Sequence, residues 1–458
     1  MRKKLLALVL SCTLVLGTVG CGDQGTAVSG DNAETQTTAQ ADAGDSEDTA
    51  VTQTEEEAPA EEGSEEAGEV KTPQDFETFK IGVMESQSND STVLRRNYYE
   101  NYIGPRYNVE FVFSEQVKSA DDEMNFIENC VDMGVDGIIS FRSSPDVNQI
   151  IQVCEEYGLP DSVNTTRTPM VEGAFTGGYQ TMTGVWGTEP ATVSNEFKEW
   201  IKSVASDDGS EGFMVTSALA FQGNTMHAEC TQGVLAALQD IYGLTYEDTI
   251  ENLAATSVPL EVPNDKGINI YIYPGTNSTS DNWVQGASTA LQTGKYGVFL
   301  QAASTYGYTG VAVDEVERGF DMNIKVAVNA SISDTLVTAF NTDDKFGNSS
   351  LDMATVQSVS LLSAMGFVQV YNHLTGYEAL NRIENGEPAF FDMPIWTLST
   401  REQVNQAATW DNAEKETWVF DEDAVNAALG IYNPDLTNSQ LNDYYKSITL
   451  DWVMEHMN

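Results

Sequence analysis

The sequence predicts an α/β protein of two successive lobes, each built on a parallel sheet. Three observations carry this. Short apolar runs without alternation, such as Ile138-Ile139 within VDMGVDGIISF at 131–141, read as strands buried on both faces. Amphipathic stretches at helical spacing separate these runs, so strands alternate with helices as in βαβ units. The alternation begins near Phe76 and restarts after Gln180 on the same plan.

In the first lobe the strands are FKIGVM (79–84), VEFVF (109–113), GIISF (137–141) and a fourth at 159–163. Helices fall at the stretch carrying Leu94, Tyr98, Tyr99 and Tyr102, at 121–132 and at 147–157, and Gly134 supplies the open backbone of a helix C-terminus. In the second lobe a helix at 190–204 carries Val193, Phe197 and Ile201 at helical spacing. Strands at 212–216, 267–273, 296–300 and 324–328 then alternate with helices at 225–240, 282–292 and 311–318. The stretch 353–374 reads as one long helix, 391–398 as extended, and 422–429 and 441–454 as the helices of a C-terminal extension.

The N-terminus is a different material. Arg2, Lys3 and Lys4 precede an apolar run from Leu5 to Leu16 and small residues leading to Cys21, a secretory signal too short to span a membrane. Residues 22–71 hold fifteen of the 70 acidic residues, a single basic one and no aromatic one. Such a segment cannot bury enough apolar surface to fold and acts as a self-repelling spacer.

The formal net charge is −48, and the tail explains only part of it. A nucleic-acid partner would need a basic patch against phosphate, so that class is disfavoured. With three His and no HExxH or CxxC spacing, a zinc site has no support. No GxSxG elbow, Walker loop or catalytic Cys signature is present, so no enzymatic activity is expected. No GxGxxG opens the first helix, and no cofactor is expected. Cys12 leaves with the signal. Cys130, Cys154 and Cys230 are expected as buried free thiols, with a Cys130–Cys154 bridge as the alternative.

FKIGVM, DMGVDGIISF, CEEYGLP, FTGGYQ, GVFLQA and FVQVYNHLTGYEALNRIENGEP follow one another over residues 79–398. In that order they resemble the type I periplasmic binding proteins, the ribose/galactose-binding-like receptors of ABC importers. The resemblance implies two Rossmann-like lobes joined by a hinge of three crossings, here near 178–180, Gln357 and 391–395. It divides the chain into a signal peptide (1–21), an acidic linker (22–75), lobe I (76–180 plus 356–390), lobe II (181–355 plus 391–405) and an extension (406–458). It implies capture of a small polar ligand, such as a sugar, and delivery to an ABC permease by a monomer. A receptor for a membrane sensor kinase or chemotaxis partner is the alternative. Thr18-Val19-Gly20-Cys21 is similar to a bacterial lipobox, which implies lipidation of Cys21 and an extracytoplasmic, membrane-anchored protein.

Ligands of parallel α/β sheets bind outside the carboxyl ends of the strands. Residues there are Gln87, Asn89 and Asp90 after the first strand, Arg142 and Ser143 after the third, and Asn164, Thr165 and Arg167 after the fourth. The second lobe offers Phe221, Gln222 and Asn224, then Gln301, then Asn329. Amides and charged groups hold hydroxyls, and aromatic rings stack on apolar ring faces. Phe141 is expected in the core and Arg142 at the cleft, since an unpaired buried guanidinium is costly. Sugar binders of the resembled family place Asp-Arg after the fourth strand, where this chain has Asn164-Thr165. Their sugar-clamping set therefore does not carry over. Trp283, Trp396, Trp410 and Trp418 are expected to pack rather than to stack on ligand.

Overall fold

The computed structural model describes residues 71–86, 90–141, 148–165, 178–217, 225–275, 280–302 and 304–457. Its first lobe begins with strand β1 (Phe79–Glu85) and helix α1 (Asp90–Asn97), which runs on through a π turn at Tyr98–Ile103 into α2 (Gly104–Tyr107). There follow β2 (Val109–Gln116), α3 (Ala120–Asp132), β3 (Gly137–Ser140), α4 (Asn148–Tyr157), β4 (Asp161–Asn164) and β5 (Met182–Gly187). Sequence chemistry sets these boundaries. The Ser119 hydroxyl accepts the Asp122 N–H at 3.2 Å while the Asp122 carboxylate accepts the Ser119 N–H at 3.0 Å, a reciprocal cap that starts α3. Gly134, at φ +64°, turns the chain out of that helix.

The second lobe comprises α5 (Pro190–Val204), β6 (Phe213–Ser217), α6 (Thr225–Tyr242), α7 (Ile250–Ala254), β7 (Leu260–Glu261), β8 (Ile270–Pro274) and α8 (Asp281–Leu291). It continues with β9 (Val298–Gln301), α9 (Tyr306–Phe320), β10 (Lys325–Asn329), α10 (Asp334–Asn341) and β11 (Met353–Val356). Helix α11 (Val359–Leu374) returns to the first sheet, which β12 (Phe390–Asp392) completes, and β13 (Trp396–Leu398) joins the second. Helices α12 (Arg401–Ala407), α13 (Glu422–Ala428), α14 (Asn438–Ser447) and α15 (Leu450–His456) end the chain.

The first sheet runs β12-β5-β4-β3-β1-β2 and is parallel throughout. The second runs β13-β11-β10-β9-β6-β8-β7, parallel at its centre with antiparallel strands at both edges. Each centre has the doubly wound order 2-1-3-4-5, with its switch point between the first and third strands. Two layers of core result. Ile81, Val83 and Ile139 cluster with α11 and the tyrosines of 98–107, while Ile138 clusters with Ile127 of α3 and Ile150 of α4.

Three differences from the sequence reading stand out. Strand β5 belongs to the first sheet, so the chain crosses after Gly187 rather than near 178–180. Residues 353–356 are a strand and not the first turn of a helix. The run MATV pairs beside β10, and Ser358 starts α11 by accepting the Leu361 N–H at 3.0 Å. The expected helix at 441–454 is two helices broken at Ile448, where Thr449 begins the second by accepting the Trp452 N–H at 3.3 Å. The three crossings lie side by side. Gln357 Nε2 donates to the Thr188 hydroxyl at 2.5 Å, and the Met393 N–H donates to the Gly187 carbonyl at 2.8 Å.

Candidate functional site

In the first sheet, neighbouring strands end at Gln116, Glu85, Ser140, Asn164 and Gly187, and Phe141 follows directly on Ser140. Glu85 closes β1 after the buried apolar run 81–84, and α1 brings Arg95 over it. Arg95 donates to Glu85 Oε2 at 2.5 Å, and its guanidinium lies on the Phe141 ring, 3.5 Å from the centroid. Glu85 is 2% and Arg95 7% exposed. Burial raises the Glu85 carboxyl above the usual carboxylate range, against the pull of Arg95 and Arg96. Among the described residues Glu85 Oε1 and Arg95 Nε have no hydrogen-bond partner. Removing either member of such a pair would strand a charge in the core.

Phe141 packs edge-on against Trp186 at 5.5 Å and is buried, as expected from its place after a core strand. Asn164 is half-buried and donates through Nδ2 to the Trp186 carbonyl at 3.0 Å. Thr165 is buried, and its carbonyl runs so close to Gly187 that a Cβ there would overlap it. Only glycine lets the chain leave the first sheet at this point. Asp90 is exposed in the first turn of α1, where a carboxylate suits the helix dipole.

Among the described residues the parallel strands of the second sheet end on neutral side chains. Gln301 is fully buried; its Oε1 accepts the Thr305 N–H at 2.6 Å and the Thr305 hydroxyl at 3.0 Å, while Nε2 has no partner among the described residues. Asn329, on the adjacent strand and the opposite face, donates to the Ala302 carbonyl at 3.4 Å and accepts the Thr355 hydroxyl at 3.1 Å. Ser217 ends β6 with its Oγ buried and, among the described residues, unpartnered. Across one end of α6, burial holds the half-buried His227 down at about 4. Gln87, Asn89, Arg142, Ser143, Arg167, Phe221, Gln222 and Asn224 lie outside the described residues.

The structure thus sets Asn164 and Thr165 on one edge, and Gln301 and Asn329 on adjacent strands of the other. It adds Glu85 and Arg95, which the sequence reading passed over. Their signal was a carboxylate at the end of an apolar strand followed ten residues later by Arg in a helix. Trp283, Trp396, Trp410 and Trp418 are all buried, the packing role expected of them. Cys130, Cys154 and Cys230 are free and buried; burial pushes the Cys130 and Cys230 thiols up to about 12. A groove of about 710 Å³ between α5 and α6 lies on helix flanks, lined by Glu189, Ser194, Lys198 and Glu229 among others, away from the strand ends. Among the described residues no helix is long and apolar enough to cross a membrane.

Two doubly wound lobes joined by three adjacent crossings define the fold of the type I periplasmic binding proteins. No family model and no curated protein matches the sequence. Among solved structures the chain is similar to a putative LacI transcriptional regulator from Bacteroides fragilis, with a TM-score of 0.50 and 12% identity over 72% of this chain and 99% of that one. It is similar to an ABC transporter solute-binding protein from Bacillus halodurans with bound myo-inositol, with a TM-score of 0.49 and 14% identity over 75% and 99%. One from Clostridium phytofermentas with bound L-rhamnose gives 0.48 and 12% over 71% and 96%.

Proposed function

We propose that this protein captures a small polar, sugar-like solute between its lobes, without chemistry, and presents it to an ABC permease. Lipid on Cys21 would hold it at the outer face of the cell membrane, with the acidic linker as spacer. The observation that carries the reading is the pair of doubly wound sheets joined by adjacent crossings at 188–189, 357–358 and 393–395. Such sheets take ligands at their carboxyl edges, and lobes joined this way close by hinge motion. Asn164, Asn329 and Gln301 supply neutral amides at those edges, which suits hydroxyl groups better than ionic ones. The test is mass spectrometry of small molecules released from the purified, denatured protein, followed by calorimetric titration of the emptied protein. A hydroxylated neutral solute is expected. A protein that releases none, and that gives no heat with a panel of pentoses, hexoses and myo-inositol, would overturn the reading.

A further inference from the structure

The C-terminal helices pack on the first lobe and reach the second at the hinge. Tyr98 donates to the Phe420 carbonyl at 2.6 Å, Tyr102 accepts the Glu422 N–H at 2.8 Å, and Tyr107 donates to Asn426 Oδ1 at 2.8 Å. Asn372 of α11 holds both the Ala428 carbonyl and the Gly430 N–H, at 3.2 and 2.9 Å. This tyrosine row and α11 make the extension part of the first lobe's core.

At the second crossing, Asp411 is buried in a left-handed conformation (φ +50°). Its carboxylate accepts the Ser358 hydroxyl at 2.7 Å, the Ser360 N–H at 3.0 Å, the Ser360 hydroxyl at 2.5 Å and the Val419 N–H at 3.1 Å. It therefore pins the chain one residue beyond Gln357. The third crossing is held on both sides. Before it, Asn442 accepts the Asp392 N–H at 3.0 Å and Lys446 pairs with the Asp392 carboxylate at 2.6 Å. After it, Trp396, a residue of the second sheet, donates from Nε1 to the Ile448 carbonyl at 2.9 Å and meets Trp410 edge-on at 5.3 Å.

We infer that the C-terminal extension is a brace across the hinge that sets the angle between the lobes. Residues 393–395 link the two sheets at the third crossing, and the chain on both sides of them is fixed to the stretch 442–448. A rotation of the lobes displaces Trp396 relative to Asp392, so it must break the bond to Ile448 or strip Asp392 from α14. The extension thereby makes departure from the resting angle cost hydrogen bonds, and it couples a change in the C-terminal helices to the cleft. The inference rests on the two-lobed hinge reading above, but not on the identity of the solute.

The experiment is a spin-label distance measurement in the full chain, with labels at Tyr157→Cys and Val258→Cys, exposed positions on opposite lobes. Cys130, Cys154 and Cys230 are buried and stay unlabelled, and Cys12 and Cys21 are changed to Ser in every labelled chain. Trp396→Phe removes one N–H while keeping an aromatic ring, and Asn442→Ala with Lys446→Ala releases Asp392 from a half-exposed rim. The unsubstituted hinge should give one narrow distribution. Each variant should broaden it, with a two- to tenfold rise in populations outside the native width, the range for one lost hydrogen bond. If either folded variant keeps the native distribution, or if the unsubstituted hinge is already as broad, the brace is refuted. The rim variant spares the core, so it decides between these outcomes even where Trp396→Phe fails to fold. A myo-inositol and hexose panel on the same labelled chain reads the other proposal separately. Absence of binding removes solute capture and leaves the brace; an unchanged distribution removes the brace and leaves solute capture.

Discussion

Glu317 gives the most direct test of the physical reading of the second lobe. It sits on the inner face of α9, 2% exposed, with Oε1 accepting the Ile324 N–H at 3.0 Å. Burial, with Asp344, Asp314 and Asp352 nearby, raises its carboxyl from 4.5 to about 7 against the pull of that N–H. Below pH 4.5 the group is protonated in the folded and the unfolded chain alike, and the stability it permits is fully present. Between 4.5 and 7 the unfolded chain ionises first, so stability falls as pH rises and is lost through the folded value. A gap of this size corresponds to about 3 kcal/mol at 1.36 kcal/mol per tenfold change in proton affinity. Glu317→Gln keeps the acceptor for Ile324 and cannot ionise. The variant should match the parent at pH 4.5 and exceed it by about 2–3 kcal/mol at pH 8, read from denaturant unfolding at both pH values. An equal difference at the two pH values would show that Glu317 does not carry a buried charge.

Other expectations follow from particular contacts. Gly233→Ala would drive a Cβ into Ser194 where α5 and α6 cross, costing about 1–3 kcal/mol, and Ser194→Gly should restore most of it; failure of that rescue would place the clash elsewhere. His227, held at about 4 against 6.5 unfolded, contributes stability that is present above pH 6.5 and lost as pH falls through 4, so His227→Gln should flatten the acid limb of the stability profile. Cys21→Ala should move the protein from the membrane to the soluble fraction, and retention after a carbonate wash would contradict lipid anchoring. Small-angle scattering should show a smaller radius of gyration with saturating solute, and an unchanged radius would argue against closure.

Much of the fold was legible because parallel α/β strands announce themselves as uniform apolar runs, and those at 79–84, 109–113 and 296–300 were found within a few residues. Strand β5 was hidden by composition: MTGVWG has two glycines and one Thr, and only its pairing with β4 and β12 makes it a strand. Residues 353–356 merged with the helix after them because MATV is apolar in either state, and Ser358 marks the boundary only once its cap is seen. The site was less legible. Gln301 and Asn329 lie at the strand ends where the sequence put them, because strand ends are positions in sequence. Glu85 and Arg95 were missed because their meeting depends on how α1 lies across β1, which periodicity does not encode.

The antiparallel strands at both edges of the second sheet bear on how such a protein survives crowding. A parallel sheet ending in a long open strand offers a row of free backbone groups to any neighbouring copy. Here the rim strands are two residues long at β7 and three at β13, and β13 is pinned by its own tryptophan to the C-terminal helices. Copies of a chain held at high concentration meet often, and an open edge would pair on contact. Rims too short to template a partner strand turn those meetings into harmless collisions.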